Sequence, residues 1–365
     1  MTVVDGRENA KRPRRSITVR PSPALIFGCL LLTLTGAAII AVTLGAAGIP
    51  IARVPAALGI LVSEPADTLL ARDQLVLWSI RIPRVLAAAV VGGLLATSGA
   101  IMQGLFRNPL ADPALVGVSS GGAFAAASAI VLIDSSYGDA FRFMQNALLP
   151  LAAFLGSLAT TLILYGIASR AGRTSIAIFL LAGLAIAAIA NAGLGLLVFI
   201  ADDRQLRDIT FWMLGSLSGA TWSKAVTIAP VLAVGVIACV WIGRGLDVLI
   251  LGESEAFHSG INVERLKRVS IVLISAMTGV AVSICGVVGF IGIVVPHLLR
   301  LMIGPGHRIL LPASALLGAV LVVGADTLAR TIVAPAEMPI GILTAAIGAP
   351  FFLAILLRQR GLAGL

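Results

Sequence analysis

The stretch RIPRVLAAAVVGGLLATSGAIMQGLFRNPLADPALVGVSSGGAFAA, residues 81–126, decides the fold. From Val85 to Phe106 it holds no charged residue, and 84–104 is about the length a helix needs to cross a hydrocarbon core. Its glycines and alanines are the small residues that let helices approach closely in lipid. The run breaks at Asn108-Pro109 and Asp112-Pro113 and then turns apolar again. Irregular backbone at this depth is tolerated only inside protein or beside a water-filled path, so residues 102–122 mark an interior position.

The rest of the chain extends the same pattern. Of 365 residues, 59% are hydrophobic and 12% charged, against about a quarter charged in a soluble domain. The apolar runs are continuous, which disfavours a β-barrel, whose strands alternate. Further spans read at 24–47, 114–133, 147–168, 176–200, 226–243, 269–288, 289–303, 309–328 and 340–357. The chain is therefore expected to be an all-α polytopic membrane protein of about ten transmembrane helices. Residues 1–23 form a basic cytoplasmic tail and 24–365 a single transmembrane domain. The first run follows Lys11, Arg12, Arg14, Arg15 and Arg20 but is too long for a signal peptide, and more spans follow.

The net charge is +9. The basic residues sit at span ends and not in a stripe interleaved with aromatics, so the charge speaks for membrane lipid and against nucleic acid. With both termini cytoplasmic, 17 of the 26 lysines and arginines lie inside, the bias expected of an inner-membrane protein.

Chemistry is also missing. No GxxxxGK[ST] phosphate loop is present, so the chain is not expected to hydrolyse ATP. Ion-coupled carriers place carboxylates or histidines mid-membrane, whereas here Asp112 and Asp326 are the acids nearest apolar sequence. A secondary carrier is the rival class, and a membrane enzyme, which needs clustered His, Asp or Glu at one face, is a third. His258, His297 and His307 have no metal-ligand spacing, and Cys29, Cys239 and Cys285 are isolated; no cofactor or metal is expected. Between Arg244 and Arg268, LGESEAFHSGINVERLK is too polar to span, yet Ala256, Ile261 and Leu266 keep helical spacing. It reads as short interfacial helices at about 250–267, joined at Gly260. Finally, SGAIMQGLFRNPL (98–110) echoes CGVVGFIGIVVPHLLR (285–300) in glycine spacing, with the polarity of an inverted repeat.

Residues 81–126 resemble the permease family of iron-siderophore, haem and cobalamin ABC importers, and so do LRDITFWMLGSLSGATW (206–222), LGESEAFHSGI (251–261), GVVGFIGIVVPHLLRLMIGPGHRILLP (286–312) and ADTLARTIVAPAEMPIGILTAAIGAPFFLAILL (325–357). The resemblance covers nearly everything from about residue 75. It implies the type II importer fold, a second copy of the chain as partner, two cytoplasmic ATPase subunits and a periplasmic substrate-binding protein. It assigns Arg81, Arg84 and Arg330 to docking glutamates of the binding protein, a task suited to a fixed guanidinium fork, although interfacial arginines also anchor helices beside headgroups. It assigns Gly252, Glu253, Ala256, Gly260 and Ile261 to helices that couple to the ATPase, where a solvated loop is the plainer reading. It places a gate at Asn108 and Leu110 and at Thr174 and Ser175, although Asn108-Pro109 equally suits a simple turn. The stretch ITFWMLGSLSGATW most resembles haem permeases, which points to haem over ferric siderophore or cobalamin.

Overall fold

The computed structural model describes residues 22–45, 48–60, 68–133, 145–170 and 173–363; most of the basic tail lies outside them. The described residues are almost entirely helical. They comprise α1 (Pro23–Thr43), a short α2 (Val54–Ala57), α3 (Thr68–Val76), α4 (Ile82–Phe106), α5 (Val118–Ile133), α6 (Gln145–Ala168), α7 (Ile176–Ile200), α8 (Asp203–Met213), α9 (Trp222–Leu249), α10 (Glu253–His258), α11 (Val263–Cys285), α12 (Ile291–Ile303), α13 (His307–Ile332) and α14 (Ile340–Ala363). Strands β1 (Ser169–Arg170) and β2 (Arg173–Thr174) form a small antiparallel hairpin between α6 and α7.

Seven helices are long and apolar enough to cross a membrane, and Val118–Leu132, Ile291–Ile303 and Ile340–Ile355 are shorter apolar helices. Together they match the spans read from hydropathy one for one. The boundaries differ where backbone chemistry intervenes. The span expected at 84–104 belongs to a continuous helix from Thr68 to Phe106. Pro83 has no N–H to donate to the preceding turn, and the helix widens into a π-turn over Leu77–Arg81, with the Ile82 N–H reaching back to Leu77 O. The third span starts at Val118 and not at 114, because Pro113–Val116 forms a 3-10 turn, capped where Asp112 accepts from the Ala114 N–H at 2.7 Å and closed by Gly117 at φ 82°. The polar segment also differs from the expected pair of interfacial helices. Only α10 is separate, and the second helix is the opening of the spanning helix α11, started by the Asn262 side-chain cap on the Arg265 N–H.

Helix α4 is the centre of the bundle, buried along nearly its whole length against α13, α11, α9 and α12. A helix apolar on every side has no face to give to water and is buried or lipid-facing; its small residues settle it in the interior. A Cβ at Gly99 would stand 2.2 Å from the Gly292 carbonyl oxygen, and one at Gly92 as close to that of Gly318. The two segments that echo each other in sequence thus touch at Gly99 and Gly292. By contrast, much of α7 and α9 is exposed within the single chain, including Phe199 and Trp241.

Candidate functional site

The bundle has two polar ends, set by the opposite ends of α4. At its N-terminal end, α4 meets the C-terminal halves of α1 and α13. Arg84 makes a fork with Asp326: Nε donates to Oδ1 and Oδ2 at 3.1 and 3.0 Å, and Nη2 to Oδ1 at 2.9 Å. Its Nη1 donates to both carboxylate oxygens of Glu337 at 2.9 and 3.0 Å. Arg330, one turn along α13 from Asp326, stands 3.8 Å from it and donates to the Ala41 carbonyl. Arg81 donates to the carbonyls of Val42 and Thr43 at 2.5 and 2.8 Å. These are C-terminal carbonyls of α1, which have no partner within their own helix and sit at its negative pole. The arginines therefore tie α1 to the core.

Docking to a binding protein, the role the resemblance implies, would set Arg81, Arg84 and Arg330 on an outer surface. The structure gathers all three at one end of the bundle, but it turns them inward: they are 3%, 7% and 7% exposed. A buried guanidinium must be paired to be tolerated, and Asp326, Glu337 and the α1 carbonyls supply the pairing. Glu337 is the open member, with 44% of its side chain exposed.

The opposite end holds the hairpin, α10 and the connection from α4 to α5. Gly252 at φ 135° and Gly260 at φ 79° take backbone conformations that side chains resist, and they bound α10 on both sides. Ala256 is fully buried beneath the helix, Ile261 is half-buried, and Phe257 is exposed. A groove of about 1010 Å³ runs along α10, lined by Glu253, Ser254, Phe257, Gly260 and Glu264 among others.

Of the gate candidates, Asn108 is exposed and satisfied locally, its Oδ1 accepting from the Leu110 N–H at 2.9 Å in a turn; Leu110 is half-buried. Ser175 caps α7 through the Ile178 N–H. Thr174 is buried, and its backbone is held by Glu264 and Lys267 of α11. Sequence reasoning counted Lys267 only as one of the cytoplasmic charges. The structure makes it a buried centre that joins Glu253 of α10 to Thr174 of the hairpin. The one local hint is Glu264 three residues before it on the same helix face. The Arg84 partners Asp326 and Glu337 were likewise missed; they lie 242 and 253 residues away in the chain. The carboxylate of Asp326, one of the two acids nearest apolar sequence, is engaged by two arginines.

Comparison with known proteins agrees with this architecture. The model of the FecCD transport family matches residues 30–358. A hemin transport system permease protein of Yersinia pestis is 48% identical over 287 residues, 77% of this chain and 83% of that protein. A cobalamin import system permease protein of Halobacterium salinarum is 42% identical over 287 residues, 79% of this chain and 74% of its own length. A solved chain of a metal-chelate type ABC transporter in an inward-facing conformation superposes with a TM-score of 0.78 at 31% identity, covering 92% of this chain and all of the other. A central glycine-packed helix and two polar ends, on a chain matched across nearly its full length, place this protein in the FecCD transport family.

Proposed function

We propose that this chain is the membrane-spanning permease subunit of an ATP-driven importer whose cargo is haem. In this reading two copies form the path, two cytoplasmic ATPase subunits drive it, and a periplasmic binding protein delivers the cargo. The observation that carries the reading is the two-ended architecture within the family match: a cationic end suited to a carboxylate-bearing partner, and an opposite end with a protruding helix beside a groove. The exposed apolar faces of α7 and α9 leave room for lipid and a second copy. The lysine and arginine bias supports cytoplasmic termini in the inner membrane. Arg81, Arg84 and Arg330 would receive glutamates of the binding protein, with Glu337 yielding to the incoming carboxylate. Gly252, Glu253, Ala256, Gly260 and Ile261 would seat the ATPase, and the connection at Asn108 and Leu110 with the hairpin at Thr174 and Ser175 would close the path.

Haem is favoured by the higher identity to the hemin permease; the cobalamin permease at 42% identity makes cobalamin the second reading. The test is uptake into proteoliposomes carrying permease and ATPase, with haem-loaded binding protein outside and ferric siderophore and cobalamin as parallel cargoes. The expected result is haem accumulation that needs ATP, ATPase and binding protein together. Uptake of another cargo would reassign the cargo alone, and uptake without the ATPase would overturn the importer reading.

A further inference from the structure

Lys267 is 3% exposed and lies one turn into α11. An ammonium has three donors, and here each goes to a different element. Nζ donates to Glu253 Oε2 of α10 at 2.9 Å, to Glu264 Oε1 of α11 at 3.2 Å and to the Thr174 carbonyl of β2 at 3.1 Å. The second oxygen of Glu264 accepts from the Thr174 N–H at 2.9 Å, so both backbone groups of Thr174 are held by the same ion pair. The hairpin itself is tight: Thr174 Oγ1 and Ser169 Oγ are 3.0 Å apart, and the Ser175 N–H bonds to the Ala168 carbonyl. Because the hairpin is the short connection between α6 and α7, whatever moves Thr174 moves the ends of both helices.

We propose that Lys267 is the positioning residue that makes the protruding helix α10 and the α6–α7 hairpin one mechanical body, so that a displacement imposed on α10 by the ATPase reaches the closing hairpin through it. This rests on the reading of α10 as the ATPase contact given above. The burial of the ammonium is what makes the link stiff: out of water its attraction to Glu253 and Glu264 is weakly screened, and a partly broken cluster would leave a buried charge unpaired. Glu253, with 45% of its side chain exposed, is the arm that faces outward. A link that is only a local fold brace would hold Thr174 without needing α10 at all, so the Glu253 arm separates the two roles.

The test uses the permease purified with its ATPase, in a Cys29→Ser background that leaves the two buried cysteines in place. Spin labels at Ser254 on α10 and Arg170 on the hairpin report the distance between the two elements with and without ATP, whatever the cargo. The expected result is a single narrow distance that ATP leaves unchanged in the parent protein. Glu253→Gln and Lys267→Met should broaden it or make it depend on ATP, Lys267→Arg should restore it, and uptake per ATP hydrolysed should fall about tenfold in the first two, within the usual range of coupling between sites. A distance that changes with ATP in the parent protein, or one that Glu253→Gln leaves narrow and unchanged along with the uptake ratio, overturns the proposal. Should Lys267→Met fail to assemble, Glu253→Gln, altered at a half-exposed position, decides alone. Absence of any ATPase-dependent uptake in the parent protein would instead strike the importer reading.

Discussion

The two polar ends of the bundle share one device, a buried cation bonded to two carboxylates: Arg84 at one end and Lys267 at the other. Each pair of carboxylates leaves one glutamate about half exposed: Glu337, in the connection after α13, and Glu253, at the start of α10. The surroundings differ. A second guanidinium, Arg330, stands 3.8 Å from Asp326, whereas Glu253 and Glu264 share Lys267. In the reading proposed above, the half-exposed glutamate competes with the partner at the arginine end and transmits the partner's motion at the lysine end.

The comparison breaks most visibly if the interior carboxylate of the arginine end is removed. Asp326→Ala leaves Arg84 and Arg330 short of their shared partner, and breaking a buried pair from one side costs about 3–5 kcal/mol. Thermal unfolding of the purified permease measures this. A loss below about 1 kcal/mol would show that the arginines are held chiefly by the α1 carbonyls and Glu337. A smaller effect sharpens the idea of competition. Glu337→Gln should tighten binding of the binding protein about threefold, because the half-exposed ion pair it removes is worth no more than about 1 kcal/mol. Calorimetric titration would read it, and weaker binding would mean that Glu337 itself touches the partner. Reversing the three arginine charges would confuse docking with the unfolding caused by stranded Asp326, so Glu337 is the cleaner position. The smallest effect is that of salt. Raising ionic strength several-fold should weaken docking about twofold through screening of exposed charge, while the Ser254–Arg170 label distance, governed by a buried cluster, stays unchanged. A label distance that broadens with salt would show that the half-exposed Glu253 arm, and not the buried ammonium, sets the link.

How far each region was legible depended on what kind of interaction makes it. The spans were legible because lipid offers the backbone no partners, so helices must run unbroken and apolar for a bilayer's thickness. The interruption at 107–117 was legible from Asn108-Pro109, Asp112-Pro113 and Gly117, but its end was misplaced by four residues, since apolar Ala114, Leu115 and Val116 sit in a 3-10 turn that hydropathy cannot distinguish from a helix. The π-turn before Pro83 and the long Thr68–Phe106 helix left no hydropathy signal. The arginines that the resemblance assigns to docking gather at one end of the bundle, but their burial was invisible in the sequence. Exposure of an arginine depends on whether Asp326, Glu337 and α1 come to meet it. Lys267 was counted only among the cytoplasmic charges for the same reason.

By itself the sequence determined the membrane class, the number and order of the apolar helices, the absence of a phosphate loop and the family to which the chain belongs. These follow from composition, run length and local motifs, all of which are properties of contiguous residues. Only the tertiary structure decided which helix is central, that Gly99 meets Gly292, that Arg84 answers to Asp326 and Glu337, and that Lys267 joins α10 to the hairpin. In lipid an apolar helix face looks the same whether it meets acyl chains or another helix, so the pattern along one helix does not reveal its neighbours. Ion pairs between groups more than 200 residues apart exist only once those neighbours are in place.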